Sequence, residues 1–123
     1  MKKSIVTMLF LMLGIVVFTG CGSKMDKTAE EFKEKIIADN NRRDEKNYKN
    51  KDFSFLIFKD KDTKRYLAEV LVPYEGESNR TKIHYSYKDS QKLEQEPFSG
   101  GESFDYAKSH GNYEVVYKSG KFK

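Results

Sequence analysis

Near Asp52 the hydrophobic period of the chain changes from about 3.6 residues to 2. Ahead of it, Ala29, Phe32, Ile36 and Ile37 recur at helical spacing, which predicts an amphipathic helix over about 28–46. Thr28-Ala29-Glu30-Glu31 reads as its capping box, with Thr28 as N-cap and Glu31 at the third position. Beyond Asp52, Phe53, Phe55 and Ile57 alternate with their neighbours. So do Tyr66, Ala68, Val70 and Val72, then Ile83, Tyr85 and Tyr87, and last Tyr113, Val115 and Tyr117. Alternation of this kind predicts half-buried strands. Lys59 to Asp62 reads as a charged turn, Pro73 as a strand end and Tyr74–Asn79 as a loop. Residues 89–103 read as a long polar connection, after which Phe104 and Tyr106 begin another strand. A lone helix must lay its apolar face on one face of the sheet. The expected fold is therefore α+β: one N-terminal helix packed on a curved antiparallel sheet of about four strands.

The first 21 residues carry a different signal. Lys2 and Lys3 precede an apolar run from Ile5 to Phe18, 14 residues long. As a helix it would extend about 21 Å. A permanent bilayer span needs roughly 20 residues, so the run reads as a signal peptide. Its end, Phe18-Thr19-Gly20-Cys21, resembles the bacterial lipobox, with Phe18 where leucine is usual. The resemblance implies that Phe18, Thr19 and Gly20 form the signal-peptidase recognition sequence. It further implies diacylglycerol transfer to the Cys21 sulfur and cleavage between Gly20 and Cys21. The expected organisation is a signal peptide over 1–20, the lipidated cysteine and a tether over 21–27, and a folded domain over 28–123. The expected location is the outer face of the cell membrane, held by lipid on Cys21. Acyl chains in pairs give stable anchoring where one is marginal.

Composition is best counted on that mature chain. Without Lys2 and Lys3 the basic residues fall from 23 to 21 against 19 acidic ones, so the net charge is about +2. That balance is not the footprint of a nucleic-acid binder. Without Phe10 and Phe18, 15 aromatics remain in 103 residues, too many for a typical disordered chain. A single cysteine excludes a disulfide framework and a cysteine-rich metal site.

A lipobox cysteine, a short tether, one amphipathic helix and an antiparallel sheet in about 100 residues together resemble a known group. It is the small Gram-positive lipoproteins of cystatin-like fold carried on integrative conjugative elements. Some of these act in exclusion, stopping a cell that already hosts an element from receiving another copy. The resemblance implies a membrane-protein partner in the donor's mating channel and no cofactor. It assigns no residue beyond Cys21.

Catalytic patterns are sparse. His84 falls between Lys82 and Ser86 on the polar face of its strand, and His110 falls in a turn; both read as exposed. No G-x-S-x-G nucleophile motif is present. Glu30/Glu31, Glu75/Glu77 and Glu94/Glu96 read as a helix start and solvated loops rather than a carboxylate dyad. Asp60-x-Asp62 lacks the glycine and the final glutamate of a calcium loop. The expectation is a non-enzymatic chain with no metal site.

Recognition is expected from loops on a rigid sheet. Tyr74 and Phe98, in the two polar connections, are the candidate partner-binding residues if exposed, and core plugs if not. The basic stretch from Arg42 to Lys51 either rests on anionic headgroups near the tether or is a solvated helix end. Two other functions remain open. One is a small-ligand receptor whose pocket is lined by Tyr66, Tyr85, Tyr87, Tyr113 and Tyr117, a reading that fails if these side chains fill the space themselves. The other is an inhibitor of an extracellular hydrolase, which rests on fold alone.

Overall fold

The computed structural model describes residues 25–88 and 91–123. Cys21 and its preceding Phe18, Thr19 and Gly20 lie outside the described residues. Helix α1 (Lys27–Asp44) is followed by strands β1 (Ser54–Asp60), β2 (Arg65–Tyr74), β3 (Glu77–Lys88) and β4 (Glu94–Gln95). A short helix α2 (Phe104–Ser109) and strand β5 (Tyr113–Lys118) complete the chain. The sheet is antiparallel with strand order β4-β3-β2-β1-β5. The α+β expectation therefore holds, with five strands where about four were expected. The extra strand is the two-residue β4, too short to show a period. Phe104 and Tyr106 lie in α2 rather than in a strand. Ser103 caps that helix by accepting the Tyr106 N–H at 3.1 Å, a local bond that competes successfully with a strand ladder.

Alternation along the strands sorts two cores. On one face Phe53, Phe55, Ile57, Ala68, Val70, Tyr85 and Tyr87 are buried beneath Ala29, Phe32 and Ile36 of α1. Phe32 stacks on Tyr87, with ring centroids 5.5 Å apart, and meets Tyr66 edge-on at 6.4 Å. On the other face Phe58 and Leu67 are covered by Phe98, Phe104 and Ala107. Phe98 is 3% exposed. It is thus a core plug, not an exposed anchor, because the outward-facing apolar residues of β1 and β2 need a cover that α1 cannot supply.

The start of α1 differs from the expected capping box. Asp26 is the N-cap, accepting the Ala29 N–H at 2.8 Å, and Thr28 lies inside the helix. Asp26 also accepts the Tyr66 hydroxyl at 2.7 Å and faces Lys59 Nζ at 3.3 Å. Three tertiary and local donors outcompete the purely local box. Met25 packs against the core cluster, so residues 25–27 belong to the fold and not to a tether.

The far end of α1 is fixed by Tyr48. Its hydroxyl donates to Asp44 at 3.1 Å and accepts the Gly76 N–H at 3.3 Å, while Asn41 accepts the Tyr48 N–H at 2.6 Å. Tyr74–Asn79 is not a loop. Tyr74 pairs with Glu77 across a two-residue turn, Glu75-Gly76, with φ of 49° and 84°. Two positive φ values define the tight hairpin turn that matches strand twist, and glycine adopts the second without strain.

Partial burial raises the Asp26 carboxyl, but the Tyr66 hydroxyl, the Ala29 N–H and Lys59 outweigh it and hold its pKa below 3.8. Asp26→Ala removes a cap and both tertiary contacts, with an expected loss of about 1–2 kcal/mol. Thr28→Ala should change stability by less than about 0.5 kcal/mol. Urea unfolding of the two variants at pH 7 checks the assignment of the cap; equal losses would contradict it.

Candidate functional site

The fold has two ends, and the bonds above orient them. Asp26 ties the start of α1 to Lys59 and Tyr66, beside the β1–β2 turn. Tyr48 ties the end of α1 to the β2–β3 turn. The two ends are separated by the length of the helix, 18 residues, or about 27 Å at 1.5 Å per residue. The chain therefore enters at one end, and the β2–β3 turn stands at the other.

Tyr74 sits at that second end and is 50% exposed. It borders a shallow depression shared with Asp44, Lys46 and Glu75. Its backbone is held by the strand pair and by the Tyr48 clamp on Gly76, so the ring is presented from a rigid turn. Asp44 and Glu75 against Lys46 border it with mixed charge, and Glu77, its partner across the turn, pairs with Arg80. An exposed aromatic on a fixed turn, ringed by polar groups, is the composition of a contact anchor. The other large exposed apolar side chains are Tyr106 and Val115, on α2 and β5.

The basic stretch from Arg42 to Lys51 lies at this same distal end, not beside the point of chain entry. Arg42 and Arg43 both pair with Asp39 one turn back. The helix carries them a full length away from residue 25, a separation invisible in the sequence order alone.

The 89–103 connection, expected as a recognition loop, is bound down from Glu94 onward, together with α2, on the outer face of the sheet. Arg65 of β2 donates to Glu102 at 2.7 Å and to Ser86 at 2.9 Å. Its guanidinium lies 5.4 Å from the Phe98 ring centroid. Glu94 accepts the backbone N–H and the hydroxyl of Ser99. His84 is not exposed as expected. Its ring stacks on Phe104 at 4.0 Å, with Nδ1 2.8 Å from Glu96 and Nε2 3.3 Å from Glu69. A neutral ring donates to one of these carboxylates; only the imidazolium donates to both. Glu96 in turn accepts the Phe104 N–H at 2.6 Å. The constellation latches the segment to the sheet. His110 stays exposed and stacks on Tyr106 at 3.9 Å.

Tyr66, Tyr85 and Tyr87 occupy the space between helix and sheet, each 3% exposed or less. Tyr85 accepts a hydrogen bond from Asn40 at 3.2 Å, and Tyr87 donates to Glu31 at 3.1 Å. Their rings fill the volume a ligand would need. Tyr113 and Tyr117 are partly buried, Tyr113 on the opposite face with the Phe98 cluster. An open groove of about 800 Å³ runs outside the core beside α1, lined by Lys27, Glu30, Glu34 and Tyr87 among others. Among the described residues no group of three His, Cys, Asp or Glu side chains could hold a metal ion, and no helix is long and apolar enough to cross a membrane.

Comparison with family models, with curated proteins and with solved structures finds no match to this chain. The fold is one long helix on a five-stranded antiparallel sheet with a latched outer segment.

Two measurements check this map. Phe98→Ala should cost about 3–5 kcal/mol as a buried aromatic, whereas Tyr74→Ala should change stability by less than about 0.5 kcal/mol. The Phe104 N–H, and then His84, hold the Glu96 carboxyl below its usual 4.5. A carboxyl lowered in the folded state stabilises above its unfolded pKa and loses that contribution as pH falls through the folded value. Glu96→Gln keeps one accepting oxygen, for the Phe104 N–H, and removes the charge. Its stability should therefore fall less steeply than that of the wild type below about pH 4.5, read by urea midpoints from pH 7 to pH 3; parallel slopes would contradict the latch.

Proposed function

We propose that this chain is a membrane-anchored extracellular recognition domain, tethered by lipid on Cys21, that acts without catalysis on a membrane-protein partner. The observation that carries the reading is the polarity of the fold. Residue 25 enters the domain at one end, and Tyr74 stands exposed at the other. Three residues, Gly22, Ser23 and Lys24, separate Cys21 from Met25, and the four chain steps reach at most about 14 Å. A lipid on Cys21 would hold the entry end close to the headgroups and present the Tyr74 turn some helix length above them. Tethering confines the domain to the layer in which membrane partners lie, which strengthens a weak contact by raising effective concentration.

Within this class the resemblance noted for the leader and the helix-then-strands order favours exclusion of redundant conjugative transfer, by steric occupation of a mating-channel component. The pocketed-receptor alternative would need the interior that Tyr66, Tyr85 and Tyr87 fill. The inhibitor alternative has no apolar wedge at the β1–β2 turn, where Lys61 to Lys64 are exposed and largely charged.

The test is a mating assay with recipients producing wild type, Cys21→Ala or Tyr74→Ala at matched levels, and donors carrying an element of this type. Wild type should lower transfer at least about tenfold, which corresponds to a modest contact free energy. Cys21→Ala should abolish the effect and appear in the medium without incorporated lipid. Tyr74→Ala should stay on the membrane and lose most of the effect. Unchanged transfer with membrane-bound wild type would overturn the exclusion reading, and a Cys21→Ala protein that remains lipid-labelled would overturn the anchor.

A further inference from the structure

The sheet is open along part of β3. Strand β4 covers only two of its residues, pairing Gln95 with Tyr85 and Glu94 with Ser86. One more bond follows, from the Glu96 N–H to the His84 carbonyl at 3.0 Å. The next residue is Pro97, which has no N–H to donate. In an antiparallel ladder the backbone groups of alternate residues point to alternate sides. His84 points to the β4 side, so Lys82 points there too, and Arg80 follows Thr81 where the register begins to shift. The β2 register is continuous from His84 through Thr81, which keeps that parity. Among the described residues no strand pairs with Arg80–Ile83 on this side.

The charge beside this open edge is unbalanced. Arg80 and Lys82 project from β3, Arg42 and Arg43 from the last turn of α1, and Lys92 from the approach to β4. Three carboxylates pair with four of these five cations, Asp39 with both arginines of α1, Glu77 with Arg80 and Glu69 with Lys82, and Glu96 on the neighbouring His84 brings a fourth carboxylate to the edge, which leaves one cation in excess. The cation side chains of these pairs are 43–74% exposed, and exposed pairs of this kind contribute little and exchange readily. On the helix side of the edge, Arg43, Tyr85 and Leu93 line an open groove between α1 and β4.

We propose that the β3 edge from Arg80 to Ile83 accepts an extended, acidic segment of the protein partner as an added strand, collinear with β4. The backbone supplies the ladder bonds, as in other strand-addition complexes, and the surplus of cations selects carboxylates on the incoming chain. A second copy of this chain does not fit the same edge. Self-pairing about Thr81 sets Arg80 opposite Lys82, and like charges directly opposite destabilise a strand pair. The proposal rests on the recognition reading in taking the partner to be a protein. It places the backbone contact beside the Tyr74 turn and does not depend on the lipid anchor.

The test uses the full chain in detergent micelles, labelled for amide NMR. The probe is a capped decapeptide of glutamate and threonine, and the control is its lysine–threonine counterpart. Shifts should concentrate on the amides of Arg80–Ile83 and Gln95 with the acidic peptide and be absent with the basic one. Lys82→Pro removes an outward N–H without breaking a bond to β2, a substitution edge strands tolerate, and should abolish the response. The pair Arg80→Gln and Lys82→Gln keeps the backbone and should weaken binding about tenfold, as loss of two interacting charges would. No shift at these amides up to millimolar peptide would overturn the proposal. So would equal binding of the basic peptide, which would mark the charges as protection against edge aggregation, or an unaltered response in the glutamine pair. Cys21→Ala should bind the acidic peptide as the wild type does, so a failure of the tether and a failure of the edge give separate results.

Discussion

Phe32 is the side chain on which the two layers meet. It is fully buried, lies flat on Tyr87 and edge-on to Tyr66, and so joins α1 to β2 and β3 at once. Paired aromatics in offset or edge geometry contribute about 0.5–1.5 kcal/mol beyond their buried area. A single helix has no second helix to lean on, so its whole contribution to the fold depends on this one stripe. Asp26 and Tyr48 then pin the two ends, and the direction of α1 across the sheet is fixed. That direction separates the entry of the chain from the β2–β3 turn.

The opposite face of the sheet solves a different problem. Phe58 and Leu67 point away from α1 and would be exposed without the 94–110 segment. Phe98 and Phe104 cover them, while Arg65, His84 and Glu96 tie the cover down with polar bonds. The same segment leaves the sheet at Pro97, and that exit exposes the β3 edge. Closure of one face and openness of one edge thus have a common origin in where β4 stops.

Much of the architecture was legible in the sequence, because α1 and β1 to β3 carry clean periods. Ala29, Phe32 and Ile36, and the alternating residues of β1 and β2, are buried as their spacing requires, whereas Ile83, Tyr113 and Tyr117 are only partly buried and Val115 is exposed. The misreadings fall where a distant residue decides a local choice. Thr28 and Glu31 make a good box, yet Asp26 wins because Tyr66 and Lys59 reach it from the sheet. Lys33 and Asn40 interrupt the apolar stripe, yet both are buried: Lys33 with its ammonium 5.4 Å from the Tyr117 ring centroid, Asn40 bonded to Ile36 and Tyr85. Glu75-Gly76 is a hairpin signal in retrospect, but a glutamate with positive φ disguises it. For the site, Tyr74 could be located and its exposure could not. Phe98 and His84 were placed in polar surroundings because nothing local reveals that their segment folds back on the sheet.

In the proposed arrangement the entry end of the domain, not the Tyr74 turn, faces the membrane. The direct measurement is paramagnetic relaxation of backbone amides in lipid nanodiscs carrying a gadolinium headgroup, with the chain from Cys21 onward carrying the proposed lipid. The account predicts strong relaxation at Lys27 and in the Lys61–Lys64 turn, and weak relaxation at Tyr74, Gly76 and the end of α1, about 27 Å further out along the helix. Equal or stronger relaxation at the Tyr74 turn would lay that surface against the lipid and contradict the recognition role proposed for it.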